Sequence, residues 1–238
     1  GADEYTWSPD GASVVAAIRV AGKGEAWSTN FDLYQVAADG SSAPVNLTAS
    51  NPAWDTGPVF SADGKTLFYR AMKRPGFEAD RFALMSLDLD NGKVREIAPN
   101  WDRSADSIVL SDDGERIYTT AQDTGEHPLF SVDIQSGESR KIVGDGSVSA
   151  FDVVGRTVVL SRNSLKSGDV IYATSDDAGA TLRAITPSAG EVLKDVSFGD
   201  FEQFIFKGWN NETVHGYVVK PHDYVEGQKY PVAFLIHG

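Results

Sequence analysis

A turn motif that occurs three times at nearly constant spacing constrains the fold of this chain more than any other feature. The copies read WSPDG at 7–11, FSADG at 60–64 and LSDDG at 110–114, so their glycines lie 53 and 50 residues apart. A weaker fourth copy, FDVVG, follows at 151–155. In each strong copy an apolar residue ends a strand, Ser and Asp bond nearby backbone N–H groups, and Gly adopts a positive φ at little cost. Three such hairpin turns at one period indicate a repeat array.

Each repeat also contains four short strand patterns. In the second repeat, β-branched and aromatic residues at 66–70 follow the turn, 83–89 run into an Asp-Asn-Gly turn, and 93–97 close the unit. Units of four strands with a period of 40–50 residues are typical of β-propeller blades. A β-sandwich would also have short strands, but not these regularly spaced turns. We therefore predict an all-β partial propeller of about four blades over residues 1–187.

The pattern changes near residue 190. Two further strands are predicted at 201–207 and 213–220, on either side of an Asn-Asn-Glu turn. Residues 232–236 are continuously apolar, which indicates a strand buried on both faces, as in the centre of an α/β sheet. We therefore predict that 188–238 is a junction followed by the opening strands of a second domain.

Composition excludes several classes of function. The formal net charge is −13, so neither nucleic acid nor an anionic membrane is an expected partner. The chain has no cysteine, which excludes disulfides, thiolate metal sites and a cysteine nucleophile. The paired aspartates at 112–113 and 176–177 lack the ligand alternation of a calcium loop, so we predict no metal and no cofactor.

The turns, the strand pair ending at Pro221 and the final segment YPVAFLIHG together resemble the prolyl oligopeptidase family. Its acylaminoacyl peptidases and dipeptidyl peptidase V-like enzymes are the most similar branch, and the resemblance covers the whole chain. It implies a seven-bladed propeller that caps an α/β-hydrolase domain, with the nucleophile in a Gly-x-Ser-x-Gly elbow. That elbow is absent from this sequence, because Ser161, Ser164 and Ser167 lack its flanking glycines.

The resemblance therefore implies part of a serine exopeptidase or oligopeptidase, in which the propeller filters and anchors short peptide substrates. Residues 188–238 would be the opening strands of the hydrolase, and the chain by itself would be inactive. The alternative is a non-catalytic, TolB-like propeller used for protein interaction, since such propellers share the turn motif. By analogy alone, the resemblance favours a periplasmic location.

Two groups of residues are candidates for the site. By the resemblance, His237 and Gly238 begin the loop that forms part of the oxyanion hole, where backbone N–H groups stabilise negative charge. Residues 72–81 form the longest insertion within a blade, and the resemblance implies that propeller carboxylates hold the amine of the substrate. Glu78, Asp80 and Arg81 are the candidates. Alternatively, the loop is only solvated, with Arg81 neutralising Asp80.

Two expectations concern packing. Large apolar side chains fill the seams between blades, so we expect at least three of Trp7, Trp27, Trp54 and Trp101 to lie there. A partial array also leaves two apolar blade faces open. We expect these faces to bind the remainder of the same enzyme or another copy of the chain.

Overall fold

The computed structural model describes residues 4–20, 22–177, 179–187 and 193–235 and divides the chain into two units, 1–186 and 187–238. The first unit contains four antiparallel sheets of four strands, each made from four consecutive strands in meander order. This confirms the prediction of an all-β array of four blade-like sheets. Within the described residues, no helix has the length and apolar character needed to cross a membrane.

The strands of the first unit are short, and those of each blade follow one another along the chain. Blade 1 contains β1 (Tyr5–Trp7), β2 (Ser13–Ile18), β3 (Asp32–Ala37) and β4 (Val45–Asn46). Blade 2 contains β5 (Asp55–Phe60), β6 (Thr66–Ala71), β7 (Ala83–Asp88) and β8 (Val94–Glu96). Blade 3 contains β9 (Val109–Leu110), β10 (Arg116–Thr120), β11 (Leu129–Asp133) and β12 (Ser139–Val143). Blade 4 contains β13 (Ser147–Val154), β14 (Thr157–Ser164), β15 (Ser167–Ser175) and β16 (Arg183–Ala184).

The recurring turn forms as predicted between the first and second strands of blades 1, 2 and 3. In blade 2, the Ser61 hydroxyl donates to Asp63 Oδ1 at 2.6 Å, and the same oxygen accepts the Lys65 N–H at 3.1 Å. Ser61 Oγ also accepts the Thr66 N–H at 2.9 Å, which closes the hairpin. Gly64 has a φ of 70°, a conformation that costs little only for glycine.

Three apolar clusters fill the seams between successive blades. In the first seam, Val15 and Leu33 of blade 1 pack against Leu67 and Tyr69 of blade 2. The second cluster contains Phe68, Leu84, Ile97, Trp101, Ile117, Phe130 and Val132. The third contains Tyr118, Leu129, Val148, Val158 and Leu160. Because successive side chains of a strand point to opposite faces, one sheet can supply both of its seams.

Only two of the four tryptophans expected in the seams pack there, so that prediction is wrong. Trp101 belongs to the second cluster, and Trp54 stacks on Phe31 with ring centroids 4.7 Å apart. Trp7 is 56% exposed and Trp27 is 85% exposed. Trp7 pairs with Val14 on the face of blade 1 directed away from blade 2, and Trp27 lies in a loop.

The two outward blade faces differ in polarity. The outward face of blade 1 presents exposed aromatic side chains, Tyr5 and Trp7. On blade 4, exposed Val159 shares its face with a polar group in which Ser149 and Ser161 donate to Asp169 Oδ1. The expected pair of apolar faces is therefore apolar at blade 1 and mixed at blade 4.

The second unit contains the predicted hairpin of β17 (Phe201–Lys207) and β18 (Thr213–Val219), connected by a turn in which Asn210 and Asn211 have positive φ. The strand predicted at 232–236 does not form over its described residues, 232–235. A strand needs a neighbour for its backbone N–H and C=O groups, and no described residue pairs with this segment. His237 and Gly238 lie outside the described residues.

One carboxyl group is completely buried in the seam between blades 1 and 2. Asp55 is 0% exposed, its Oδ1 accepts Asn51 Nδ2 at 2.8 Å, and its Oδ2 has no hydrogen-bond partner among the described residues. The pKa of Asp55 is raised to about 7, chiefly by burial and to a lesser extent by nearby Asp32, while hydrogen bonds from the side chains of Asn51 and Thr48 oppose the rise. The folded chain therefore keeps Asp55 protonated below about pH 7.

The next seam shows that the fold does not require this acid. The Asp55 N–H donates to the Phe31 carbonyl at 2.8 Å, and the Ala105 N–H donates to the Phe82 carbonyl at 3.1 Å. Ala105 therefore occupies in blade 3 the position of Asp55 in blade 2, and it is equally buried.

We predict that Asp55→Asn removes a pH-dependent part of the stability. The pKa of Asp55 is about 7 in the folded chain, against an ordinary value of 3.8. The difference contributes ~4 kcal/mol to the free energy of unfolding below about pH 4, and this contribution is lost as the pH rises from about 4 through about 7. Urea denaturation at pH 5 and pH 8 should show a clear fall in the free energy of unfolding for the wild type and a smaller fall for the variant. Asp90→Asn, in an exposed turn, should retain the wild-type difference. Equal pH dependence in the wild type and Asp55→Asn would contradict the assignment.

Candidate substrate-anchoring site

The candidate site is the loop at residues 72–82, which connects β6 to β7 in blade 2. The corresponding connection in blade 1 spans 19–31, whereas in blade 4 it has only two residues, 165 and 166. Long loops of this kind, placed on a rigid sheet, are common locations for binding residues. The loop ends at Phe82, whose ring packs edge-on against Trp54 at 5.7 Å.

Asp80 holds the loop together from within. Its Oδ2 accepts the backbone N–H groups of Lys73 and Arg74, each at 2.8 Å. Burial opposes ionisation of Asp80, but these bonds and one from the Arg81 N–H outweigh it and hold the pKa below its ordinary value. The carboxylate is therefore already used in closing the loop.

Arg81 also has partners within the blade. Its guanidinium donates to Glu96 Oε1 at 2.6 Å and to the Trp101 carbonyl at 2.9 Å. The Lys73 ammonium donates to the other oxygen of Glu96 at 2.6 Å. Burial of Glu96 opposes ionisation, but Lys73 and Arg81 together lower its pKa. Arg81 therefore pairs with Glu96 on β8, and not with Asp80 as the alternative reading of the loop assumed.

Glu78 differs from the other two candidates. It is exposed, and among the described residues it has neither a hydrogen bond nor an ion pair. Its neighbour Phe77 is covered on one side by the Arg74 guanidinium, 3.9 Å from the ring centroid. Of the three predicted residues, Glu78 alone presents a carboxylate that is free to accept a ligand ammonium.

A second loop, from blade 1, is bonded to the first. The Gly76 N–H donates to Thr29 Oγ1 at 2.9 Å, and a Cβ on Gly76 would lie 3.6 Å from the Trp27 carbonyl oxygen. The Arg19 guanidinium bonds the carbonyls of Glu25 and Ser28, which flank Trp27. The sequence analysis missed this contribution, although residues 19–31 occupy the same position in their repeat as 72–82.

A separate charged cluster lies at the seam between blades 3 and 4, beside a cavity of about 370 Å³. There the buried Asp176 carboxylate accepts hydrogen bonds from the side chains of Arg116 at 2.8 Å, Tyr118 at 2.9 Å and Arg156 at 3.0 Å. These bonds join the two blades and occupy both carboxylate oxygens. Among the described residues, no group of three or more His, Cys, Asp or Glu side chains is placed to hold a metal.

We predict that Asp80→Asn loosens the loop while Glu78→Gln leaves it unchanged. The first change removes the charged acceptor of two backbone N–H groups, and the second removes no described contact. Hydrogen exchange at the amides of Lys73 and Arg74 should become about tenfold faster in Asp80→Asn, corresponding to ~1.4 kcal/mol. Equal exchange in the two variants would contradict this division of roles.

Comparison with known proteins identifies relatives along the whole chain. No family model matches. Dipeptidyl-peptidase 5 from Trichophyton tonsurans is 31% identical over an alignment of 253 residues that covers 100% of this chain and 35% of the relative. Dipeptidyl-peptidase 5 from Arthroderma otae is likewise 31% identical, with the same coverage. The chain thus spans about a third of the length of these relatives.

Solved structures show the same architecture. An acylaminoacyl peptidase in complex with Z-Gly-Gly-Phe-chloromethyl ketone matches with a TM-score of 0.70 and 19% identity, covering 95% of this chain and 33% of that one. The acylaminoacyl peptidase of Pyrococcus horikoshii gives a TM-score of 0.67 at 18% identity, covering 93% and 33%. TolB from Acinetobacter baumannii gives a TM-score of 0.52 at 16% identity, and the match covers 78% of this chain and 44% of that one. At these identities the structures show the fold alone. With the sequence relatives, they confirm the predicted resemblance: the chain is related over its whole length to a part of the dipeptidyl-peptidase 5 proteins, within the prolyl oligopeptidase family.

Proposed function

We propose that this chain is the propeller-and-junction part of a serine exopeptidase or oligopeptidase that cleaves short peptides. The observation that carries the proposal is the similarity to dipeptidyl-peptidase 5 along the entire chain, which includes the junction after the blades. In this proposal residues 1–187 are blades that filter and anchor the substrate. Residues 188–238 are the opening strands of the hydrolase domain, and His237 and Gly238 belong to its oxyanion region.

The hairpin of the second unit supports the hydrolase assignment. Phe204 and Phe206 stack on one face of the hairpin, with ring centroids 6.0 Å apart, while Phe201 and Ile205 lie on the other. All four side chains are exposed. A strand pair that is apolar on both faces fits a sheet covered on both sides, as in α/β domains.

Glu78 is the proposed anchor for the substrate. An N-terminal ammonium carries one positive charge and needs an anionic partner, and Glu78 is the exposed carboxylate that the loop leaves free. Asp80 and Arg81 act on binding through the loop conformation that their bonds maintain. The outward blade faces are proposed to bind the remainder of the enzyme, or a second copy when this chain is isolated.

We predict that Glu78→Gln in the intact enzyme weakens the binding of peptide substrates with a free N-terminus. Loss of a charge-assisted bond should raise KM for a chromogenic dipeptidyl substrate by about 10- to 100-fold. The N-acetylated form of the same substrate should respond little, because it has no ammonium. Glu115→Gln, at another exposed glutamate, is the matched control.

Two results would contradict the proposal. An unchanged KM for the free-amine substrate in Glu78→Gln would refute the anchor. Serine-inhibitor-sensitive turnover by the isolated 238-residue chain would refute the assignment of the nucleophile to the remainder of the enzyme.

A further inference from the structure

Trp27 is an exposed aromatic side chain on a well-bonded loop. It ends the 3-10 helix Gly22–Trp27 and is 85% exposed. Arg19 bonds the carbonyls of Glu25 and Ser28 on either side of it and lies 5.5 Å over the Phe31 ring. The loop is therefore fixed to its blade while the indole stays in water. Exposed aromatic side chains on fixed backbone are frequent anchors in recognition surfaces.

The contacts between the two loops place Trp27 close to Glu78. Gly76 is bonded to Thr29 at 2.9 Å, and its Cβ position is 3.6 Å from the Trp27 carbonyl oxygen. Glu78 lies two residues beyond Gly76, a span of at most about 7 Å along the chain. The backbone of Glu78 therefore lies near the backbone of Trp27, on a loop that is hydrogen-bonded to the loop of Trp27.

We propose that Trp27 forms the subsite for an apolar side chain in the first two residues of a peptide whose N-terminal ammonium binds Glu78. The inference rests on the proposed function, since it takes Glu78 as the anchor. A carboxylate that accepts the ammonium and an indole face that packs against the neighbouring side chain match the two ends of such a segment. The expected ligand class is therefore a peptide with a free amine and an aromatic or large aliphatic residue at its N-terminal end.

Thr29 has the role of a positioning residue in this site. It is buried, and its hydroxyl accepts the Gly76 N–H, which joins the loop of Trp27 to the loop of Glu78. Thr29→Val removes the acceptor and keeps the shape, whereas Thr29→Ser keeps the acceptor. The structure therefore predicts that Thr29→Val weakens binding and that Thr29→Ser retains it.

The test measures binding of three probes to the intact enzyme, inactivated at its nucleophile, by isothermal titration: Phe-Ala amide, Gly-Ala amide and N-acetyl-Phe-Ala amide. Trp27→Ala should weaken the binding of Phe-Ala amide by about five- to tenfold and change the affinity for Gly-Ala amide by less than about twofold. Trp27→Phe should retain most of the affinity. Trp209→Ala, at an equally exposed tryptophan of the second unit, should change neither.

The remaining outcomes separate this inference from the anchor on which it rests. If Glu78→Gln weakens the binding of Phe-Ala amide but Trp27→Ala does not, the anchor stands and the subsite is overturned. Equal weakening of both free-amine probes by Trp27→Ala would also overturn the subsite. Binding that is insensitive to Glu78→Gln, or absent for every probe, would refute the anchor and the subsite together.

Discussion

The hydrogen bond from a serine hydroxyl to an aspartate two residues later fixes the first turn in three of the four blades. It measures 2.6 Å in blade 1, 2.6 Å in blade 2 and 2.5 Å in blade 3. In all three turns the serine bond is the largest cause of the lowered aspartate pKa. Each ionised carboxylate then accepts a backbone N–H, which fixes the reversal between the first two strands of the blade.

This constraint explains where sequence variation is tolerated. The Ser-Asp turns of blades 1, 2 and 3 have little freedom, so the blades differ chiefly in the connections at the other end of the second strand. Those connections range from the long loop at 19–31 in blade 1 to two residues in blade 4. The candidate site lies in the two longest of them, where Asp80, Arg81 and Thr29 hold the backbone and Glu78 and Trp27 remain exposed.

Local patterns predicted the blades well because the information was local. The Asp-Gly turns and the hairpin at 201–219 depend on residues close in sequence. The prediction that 72–81 is the longest insertion within a blade is wrong, because the corresponding connection at 19–31 in blade 1 is longer. Pairing between residues distant in the sequence was not predictable in this way. Arg81 pairs with Glu96 fifteen residues away, and Gly76 bonds Thr29 forty-seven residues away. Trp7 and Trp27 have the large apolar side chains expected in a seam, but the register of β1 and the path of the blade 1 loop leave both exposed.

The central claim is that Glu78 of this propeller receives the ammonium of a peptide. The most direct measurement is a crystal structure of the intact enzyme, inactivated at its nucleophile, with a bound Phe-Ala dipeptide segment. The account predicts the peptide ammonium within about 3 Å of the Glu78 carboxylate, with Asp80 still bonded to the backbone of its loop. An ammonium held by other groups, with Glu78 left in solvent, would contradict it.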